Sequence, residues 1–233
     1  MLGAGLFDPN DLYWVLKIFD FDKTLTIKAS FDVDTDPESV RLNIKKDMRV
    51  ELQRNGGLFA ICSYIDSPNN ILIYLTSIFG QRPSLLEQVE QFVFCEKRRQ
   101  KVHAFTLNVY KMPCLSFPVC IITLPPRTNS RDPLTGERNK AYHMAREALT
   151  EHGEKNLPIQ TIIQYYLEHY LLKPSKFLIQ FYDDDSKNVV KAQELVLPGR
   201  DFKLESYLVK EGIDAFQAEL VSNSSLSDLI CNY

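Results

Sequence analysis

The feature that most constrains this chain is a short apolar run that ends at two acidic residues. Residues 14–19 read Trp-Val-Leu-Lys-Ile-Phe. Asp20 follows directly, and Asp22 comes two residues later. The length of the run and its polar boundaries predict a buried strand. Two carboxylates two residues apart at the end of such a strand are costly to bury without a cation. The pattern therefore favours a divalent metal site, and oxygen ligands suit Mg²⁺.

Two further apolar runs also stop at polar residues. Residues 58–62 end at Ser63, and residues 177–182 end at the pair Asp183 and Asp184. Helical patterns alternate with these runs, over residues 40–54, 68–79, 142–149 and 159–172. Strands that alternate with helices predict a parallel sheet with helical crossovers. Because ligands bind at the carboxyl ends of such strands, we expect the polar residues to converge on one edge.

Composition excludes several classes of protein. The 233 residues are 45% hydrophobic and 24% charged, with a net charge of −3, which is typical of a globular domain and offers no global field to attract nucleic acid. The five cysteines are odd in number and form no C-x-x-C pair, so we expect neither a disulfide scaffold nor a zinc site. No stretch predicts a signal peptide or a transmembrane helix, so we expect a soluble, cytoplasmic protein.

The order of these motifs resembles the haloacid dehalogenase (HAD) superfamily of phosphotransferases. The D-x-D-x-T sequence of residues 20–24 matches its first motif, residues 58–63 match the second, and residues 177–184 match the fourth. The third motif is a lysine before the helix that precedes the last strand. Lys155 fits best because one predicted helix separates it from that strand, whereas Lys140 would need an extra helix between. The resemblance covers roughly residues 14–195.

The resemblance implies an α/β fold: an HAD-like Rossmannoid core with a central parallel sheet flanked by helices. Residues 1–199 would form the catalytic domain, with an insertion or small cap at about residues 100–150. We expect residues 200–233 to form a helical C-terminal extension.

The resemblance also implies phosphoryl transfer through an aspartyl-phosphate. Asp20 would be the nucleophile. Asp22 would act as general acid for the leaving group and then as the base that activates water. Ser63 and Lys155 would hold the phosphoryl oxygens and offset their charge.

The same resemblance implies a Mg²⁺ site. Its ligands would be Asp20, the backbone carbonyl of Asp22, and either Asp183 or Asp184, a choice that the sequence leaves open.

The substrate expectation depends on the small size of the cap. Only about forty residues separate the first motif from Ser63, which leaves no room for a large cap there. In relatives, an open site goes with macromolecular substrates, so we expect a phosphorylated protein or peptide, with phosphotyrosine favoured. Some secreted effectors of intracellular bacterial pathogens resemble such phosphatases, and an effector would act in a host cytoplasm. The alternatives are a small-metabolite phosphatase and a catalytically silent interaction module.

Overall fold

The structure is a computed structural model that describes residues 13–127, 139–170, 176–196 and 202–221. Those residues form one sheet with helices on both faces. The strands are β1 (Tyr13–Phe19), β2 (Phe59–Cys62), β3 (Ser84–Cys95), β4 (Gln100–Lys111), β5 (Val119–Thr123), β6 (Lys176–Asp183), β7 (Phe202–Val209) and β8 (Ala218–Leu220). The helices are α1 (Pro37–Asn43), α2 (Met48–Gln53), α3 (Pro68–Phe79), α4 (Lys140–Glu151), α5 (Asn156–His169) and α6 (Ser186–Ala192).

The strand order of the sheet is β3-β4-β5-β2-β1-β6-β7-β8. The five strands from β5 to β7 are parallel, whereas β3, β4 and β8 pair antiparallel at the two edges. The predicted α/β class with a parallel central sheet is therefore confirmed, and this arrangement is compatible with a Rossmann-like core.

Each face of the sheet has its own hydrophobic core. On one face, Leu16 and Ile18 of β1 pack with Ile162 and Ile163 of α5. On the other face, Phe19 packs in a cluster that includes residues of α3. Successive side chains of a strand point to opposite faces, so one short strand contributes to both cores. Burial of residues 16–19 of β1 on both faces of the sheet is consistent with the nearly continuous apolar run in this part of the sequence.

Local signals define the ends of two helices well. The Ser67 side chain accepts a hydrogen bond from the Asn69 amide at the start of α3, which ends at Gly80 with a φ of +73°. The Asp185 side chain accepts a hydrogen bond from the Lys187 amide at the start of α6.

None of the described helices combines the length and the apolar character that a bilayer span requires.

The helix predicted over residues 40–54 is wrong in its middle. It is two short helices, α1 and α2, separated by residues that pair as extended chain: Ile44 bridges to Thr26, and Lys46 bridges to Ala215. Asp47 then adopts a left-handed φ of +65° before α2. These pairings join residues far apart in the chain, so they overrode the local helical pattern.

The described part of residues 100–150 is not an inserted cap. It provides β4 and β5 within the sheet, and α4, which packs on β4. Residues 128–138 of this interval lie outside the described residues. β4 lies inside the sheet, between the edge strand β3 and β5.

The predicted helical extension over residues 200–233 is also wrong where the structure describes it. Residues 202–209 form β7, which pairs in parallel with β6 from Phe177↔Phe202 to Asp183↔Leu208, and residues 218–220 form β8. A domain boundary at residue 199 would fall between two paired strands of one sheet. Residues 222–233 lie outside the described part of the chain.

Candidate active site

The register of three neighbouring strands brings the predicted site residues to one edge of the sheet. Phe19 at the end of β1 pairs with Tyr182 in β6 and with Ile61 in β2. The Asp20 amide donates to the Tyr182 carbonyl at 2.8 Å. Asp20 therefore lies beside the end of β6, and buried Ser63 follows the end of β2 on the other side.

Lys155 is the lysine that reaches this edge. Its Nζ donates to Oδ1 of Asp20 at 2.6 Å and to Oδ2 of Asp183 at 2.7 Å, and all three residues are at most 8% exposed. Lys140, the alternative, begins α4. The Lys155 ammonium thus lies between carboxylates of the first and fourth sequence motifs.

A tight turn places Lys155 at the start of α5. Gly153 and Glu154 both have positive φ values, +82° and +57°. The Asn156 amide then donates to the Gly153 carbonyl at 3.1 Å. Glycine adopts this left-handed conformation without steric cost, whereas the same conformation at Glu154 is strained. Backbone strain thus occurs directly beside a site lysine.

Three carboxylates form a cluster that could hold a metal ion. One oxygen from each of Asp20, Asp183 and Asp184 lies within 4.8 Å of the others. The Thr24 hydroxyl donates to Asp184 at 3.3 Å, and the Asn188 side-chain amide donates to Asp183 at 3.2 Å. These bonds orient two of the carboxylates from outside the cluster.

The three clustered carboxylates suit a divalent cation that prefers oxygen ligands. When ionised, Asp20, Asp183 and Asp184 carry three negative charges, and Lys155 supplies one positive charge in direct contact. The cluster is left with two excess negative charges in a poorly solvated place. A divalent ion would balance them, and carboxylate oxygens are ligands that Mg²⁺ accepts.

Burial shifts the protonation of the whole cluster. It raises the pKa of Asp20 to about 6, a shift that Lys155 opposes and that the Asp184 charge reinforces. Burial likewise raises the pKa values of Asp183 and Asp184 to about 6. Burial opposes the charge on Lys155 too, but the carboxylates of Asp183 and Asp20 hold its pKa well above the usual value. At neutral pH the three carboxyl groups are therefore mostly ionised, although burial makes their ionisation unfavourable. A bound cation would stabilise the ionised carboxylates.

Asp22 lies apart from the carboxylate cluster. Its side chain is half-buried and accepts a hydrogen bond from the Ser30 amide at 2.6 Å. Lys23, the next residue, has a φ of +62°, and its amide donates to the Thr26 hydroxyl at 2.8 Å. Asp22 is thus bonded to the segment that follows this turn and is not one of the three clustered carboxylates.

The segment that follows β7 forms one flank of the site, which the sequence did not indicate. Lys23 pairs with Glu211 at 3.0 Å, and buried Lys45 donates to the Lys210 carbonyl at 2.8 Å. Burial lowers the pKa of Lys45 to about 8, although the charges of Asp184 and Glu211 oppose the shift. No motif in the sequence marks these contacts.

Tyr64 forms the other flank, and sequence reasoning missed it as well. It directly follows Ser63, its hydroxyl donates to Glu154 at 3.1 Å, and the Arg146 guanidinium lies 3.9 Å from the centre of its ring. The Lys155 ammonium lies 5.2 Å from the same ring centre. The spacing of Tyr142, Arg146 and Thr150 on one face of α4 is the signal that could have revealed this flank.

Comparisons of the chain with protein-family models, with curated proteins and with solved structures found no match. The HAD resemblance therefore rests on the sequence motifs alone.

Proposed function

We propose that this chain is an HAD-type, Mg²⁺-dependent phosphatase that hydrolyses phosphomonoesters through an aspartyl-phosphate. One observation carries the proposal. At the carboxyl ends of β1 and β6, a single buried lysine contacts Asp20 and Asp183 within a carboxylate cluster that has two excess negative charges. Such an edge of a parallel sheet is where α/β proteins bind ligands, and groups with shifted pKa values concentrate at functional sites.

Asp20 is the nucleophile in this proposal. With a pKa of about 6, its carboxylate is mostly ionised at neutral pH and can attack phosphorus, while the bond from phosphorus to the leaving oxygen breaks. Lys155 stays protonated because its pKa is raised, so it holds the nucleophile and offers positive charge to the phosphoryl oxygens. Mg²⁺ held by Asp20, the Asp22 carbonyl and Asp183 or Asp184 would supply further positive charge there.

Asp22 transfers the protons. It donates one to the leaving oxygen and then accepts one from the water that hydrolyses the acyl-phosphate. The hydrogen bond from the Ser30 amide orients this carboxylate. Ser63, buried at the end of β2, contributes a hydroxyl to the phosphoryl oxygens.

A phosphorylated protein or peptide is the substrate class that we favour, with phosphotyrosine first. In support, residues 100–127 and 139–150 belong to the sheet, its connections and α4. Residues 100–127 and 139–150 therefore form no separate inserted domain. A small-metabolite phosphatase and a silent binding module are the other outcomes of the test.

The test is hydrolysis of p-nitrophenyl phosphate and of a phosphotyrosine peptide with Mg²⁺. We expect Asp20→Asn to lower kcat at least about 10³-fold, because it removes the nucleophile, and we expect EDTA to abolish turnover. Asp185→Asn is the matched control, since asparagine caps a helix as well as aspartate does. A folded native protein that hydrolyses no phosphomonoester would contradict the proposal and favour the binding module. A preference for small phosphorylated metabolites would correct only the substrate class.

A further inference from the structure

One face of α4 contacts the backbone and the ring of Tyr64 and the glutamate that binds its hydroxyl. The Tyr142 hydroxyl donates to the Tyr64 carbonyl at 3.5 Å, and the Arg146 guanidinium stacks on its ring. The Thr150 hydroxyl donates to Glu154 at 2.9 Å, and Glu154 accepts from the Tyr64 hydroxyl. Residues four apart lie on one helix face, so one stripe of α4 orients a ring that lies beside the proposed phosphoryl site.

Arg146 is the unusual member of this stripe. It is half-buried, yet it forms no ion pair with any carboxylate of the described residues. Its neighbour Glu147 pairs instead with Arg98 at 2.7 Å. A guanidinium that stacks on an aromatic ring keeps its N–H donors available at its edge, and their planar arrangement matches a carboxylate or a phosphate.

The ring of Tyr64 connects this guanidinium to the proposed site. The Arg146 guanidinium and the Lys155 ammonium lie 3.9 Å and 5.2 Å from the same ring centre. The two cations are thus within about 9 Å of each other, a distance that a side chain or a short linker can span.

We propose that Arg146 forms a second anion subsite, so that the preferred substrates are phosphomonoesters that carry another anionic group near the phosphoryl group. This inference rests on the proposed function and specifies the substrate. The second anion is a carboxylate or a phosphate, since both match the guanidinium. It comes either from an acidic residue beside a phosphorylated residue or from a second phosphate on a small molecule.

The direct test is calorimetric binding of three non-hydrolysable probes at a fixed Mg²⁺ concentration. Methylphosphonate carries one anionic group, whereas phosphonoacetate and methylenediphosphonate each carry two. We expect the native protein to bind at least one of the latter two at least about 10-fold more tightly than methylphosphonate. Arg146→Gln should remove that preference and leave methylphosphonate affinity within about twofold.

Two further variants separate recognition from packing. Arg146→Lys keeps a charge over the ring but loses the fork of donors, so it should lose most of the preference while retaining the native melting temperature. Arg98→Gln removes the same charge elsewhere and should keep the preference. If Arg146 only packs against Tyr64, its variants will weaken all three probes equally or lower stability alone.

The outcomes distinguish this inference from the proposed function. Methylphosphonate binding without any preference for the other probes would overturn the subsite and leave the phosphatase intact. A native protein that binds none of the probes and turns over no phosphomonoester would overturn both.

To identify the source of the anion, kcat/KM is compared for phosphotyrosine peptides with Glu or Gln beside the phosphorylated residue and for a small bisphosphate. Arg146→Gln should lower only the value for the substrate with the second anion.

Discussion

Lys17 and Lys155 are both buried lysines that bond to carboxylates of other elements, but the charges around them are balanced differently. Lys17, in β1, donates to the side chain and to the backbone carbonyl of Glu51 in α2. The other carboxylate oxygen of Glu51 pairs with Arg54 at 2.8 Å. Two cations thus share one carboxylate, and no negative charge is left for a metal ion to balance.

At Lys155 the ratio is reversed. One ammonium contacts Asp20 and Asp183, and Asp184 adds a third carboxylate. Either lysine could be described as a buried salt bridge, and a buried salt bridge alone is weak evidence of function. The excess of two negative charges distinguishes the cluster at Lys155, a candidate cation site, from the structural ion pair at Lys17.

The largest expected effect on stability is at the Lys17–Glu51 pair. Lys17→Met leaves the buried Glu51 carboxylate with only the largely exposed Arg54 as its partner, and removes the donor to the Glu51 carbonyl, so we expect the free energy of unfolding to fall by about 3–5 kcal/mol. Denaturant unfolding measures the loss, which should be the same in Mg²⁺ and in EDTA. Lys46→Met, which breaks the exposed pair with Asp214, should cost about 1 kcal/mol or less. A loss at Lys17 that Mg²⁺ repairs would remove the distinction between the two lysines.

Lys155→Met should behave in the opposite way towards metal. It leaves three carboxylates without their cation, so we expect a loss of about 2–4 kcal/mol in EDTA. A Mg²⁺ ion bound to those carboxylates stabilises the folded state by mass action and should recover part of the loss. Unfolding in a Mg²⁺ titration measures this recovery. A loss that is independent of Mg²⁺ would place Lys155 in the same class as Lys17.

The pH dependence of stability sharpens the comparison further. The folded-state pKa of Asp20 is raised from 3.8 to about 6, so this group stabilises the fold at low pH and loses that contribution as pH rises from about 4 to 6. In EDTA at pH 7.5, Asp20→Asn should be more stable than the native chain by about 1–2 kcal/mol. Below pH 4 the difference should vanish. If Asp20→Asn and the native chain are equally stable at pH 7.5 as well as below pH 4, the cluster carries no excess charge.

The smallest effect concerns the turn that positions Lys155. Gly153→Ala should cost about 1 kcal/mol, because its φ of +82° disfavours a side chain. Gly80→Ala at the end of α3 is the matched control, with a φ of +73° and an open position for the new methyl group. Both variants should lose similar stability in thermal unfolding. Only Gly153→Ala should also change Mg²⁺ affinity, and an unchanged affinity would show that the turn does not position the lysine.

The parts of the site that follow apolar strands could be predicted from the sequence. Asp20 and Ser63 directly follow strands and Asp183 is the last residue of one, and parallel pairing brings such positions to one edge. Lys155 could be chosen over Lys140 because only one helix separates it from β6. In each case a local pattern and a simple topological rule were sufficient.

The flanks of the site could not be predicted because they depend on contacts between distant segments. β7 was mistaken for helix, since its pairing with β6 determines its structure and is invisible in local sequence. The loop beyond β7 reaches Lys23 and Lys45 through side-chain and backbone contacts that no motif encodes.

β3 is an edge strand with mostly exposed side chains, so it lacks the apolar run that marked β1.

Direct measurement of Mg²⁺ binding by calorimetry tests the central claim most closely. We expect one Mg²⁺ per chain at neutral pH and an affinity at least about 10-fold lower in Asp184→Asn, because that variant removes one of three clustered carboxylates. Asp185→Asn makes the same chemical change one residue later and outside the cluster, so its affinity should equal that of the native chain. Native protein that binds no Mg²⁺, or equal affinities for Asp184→Asn and Asp185→Asn, would contradict the account.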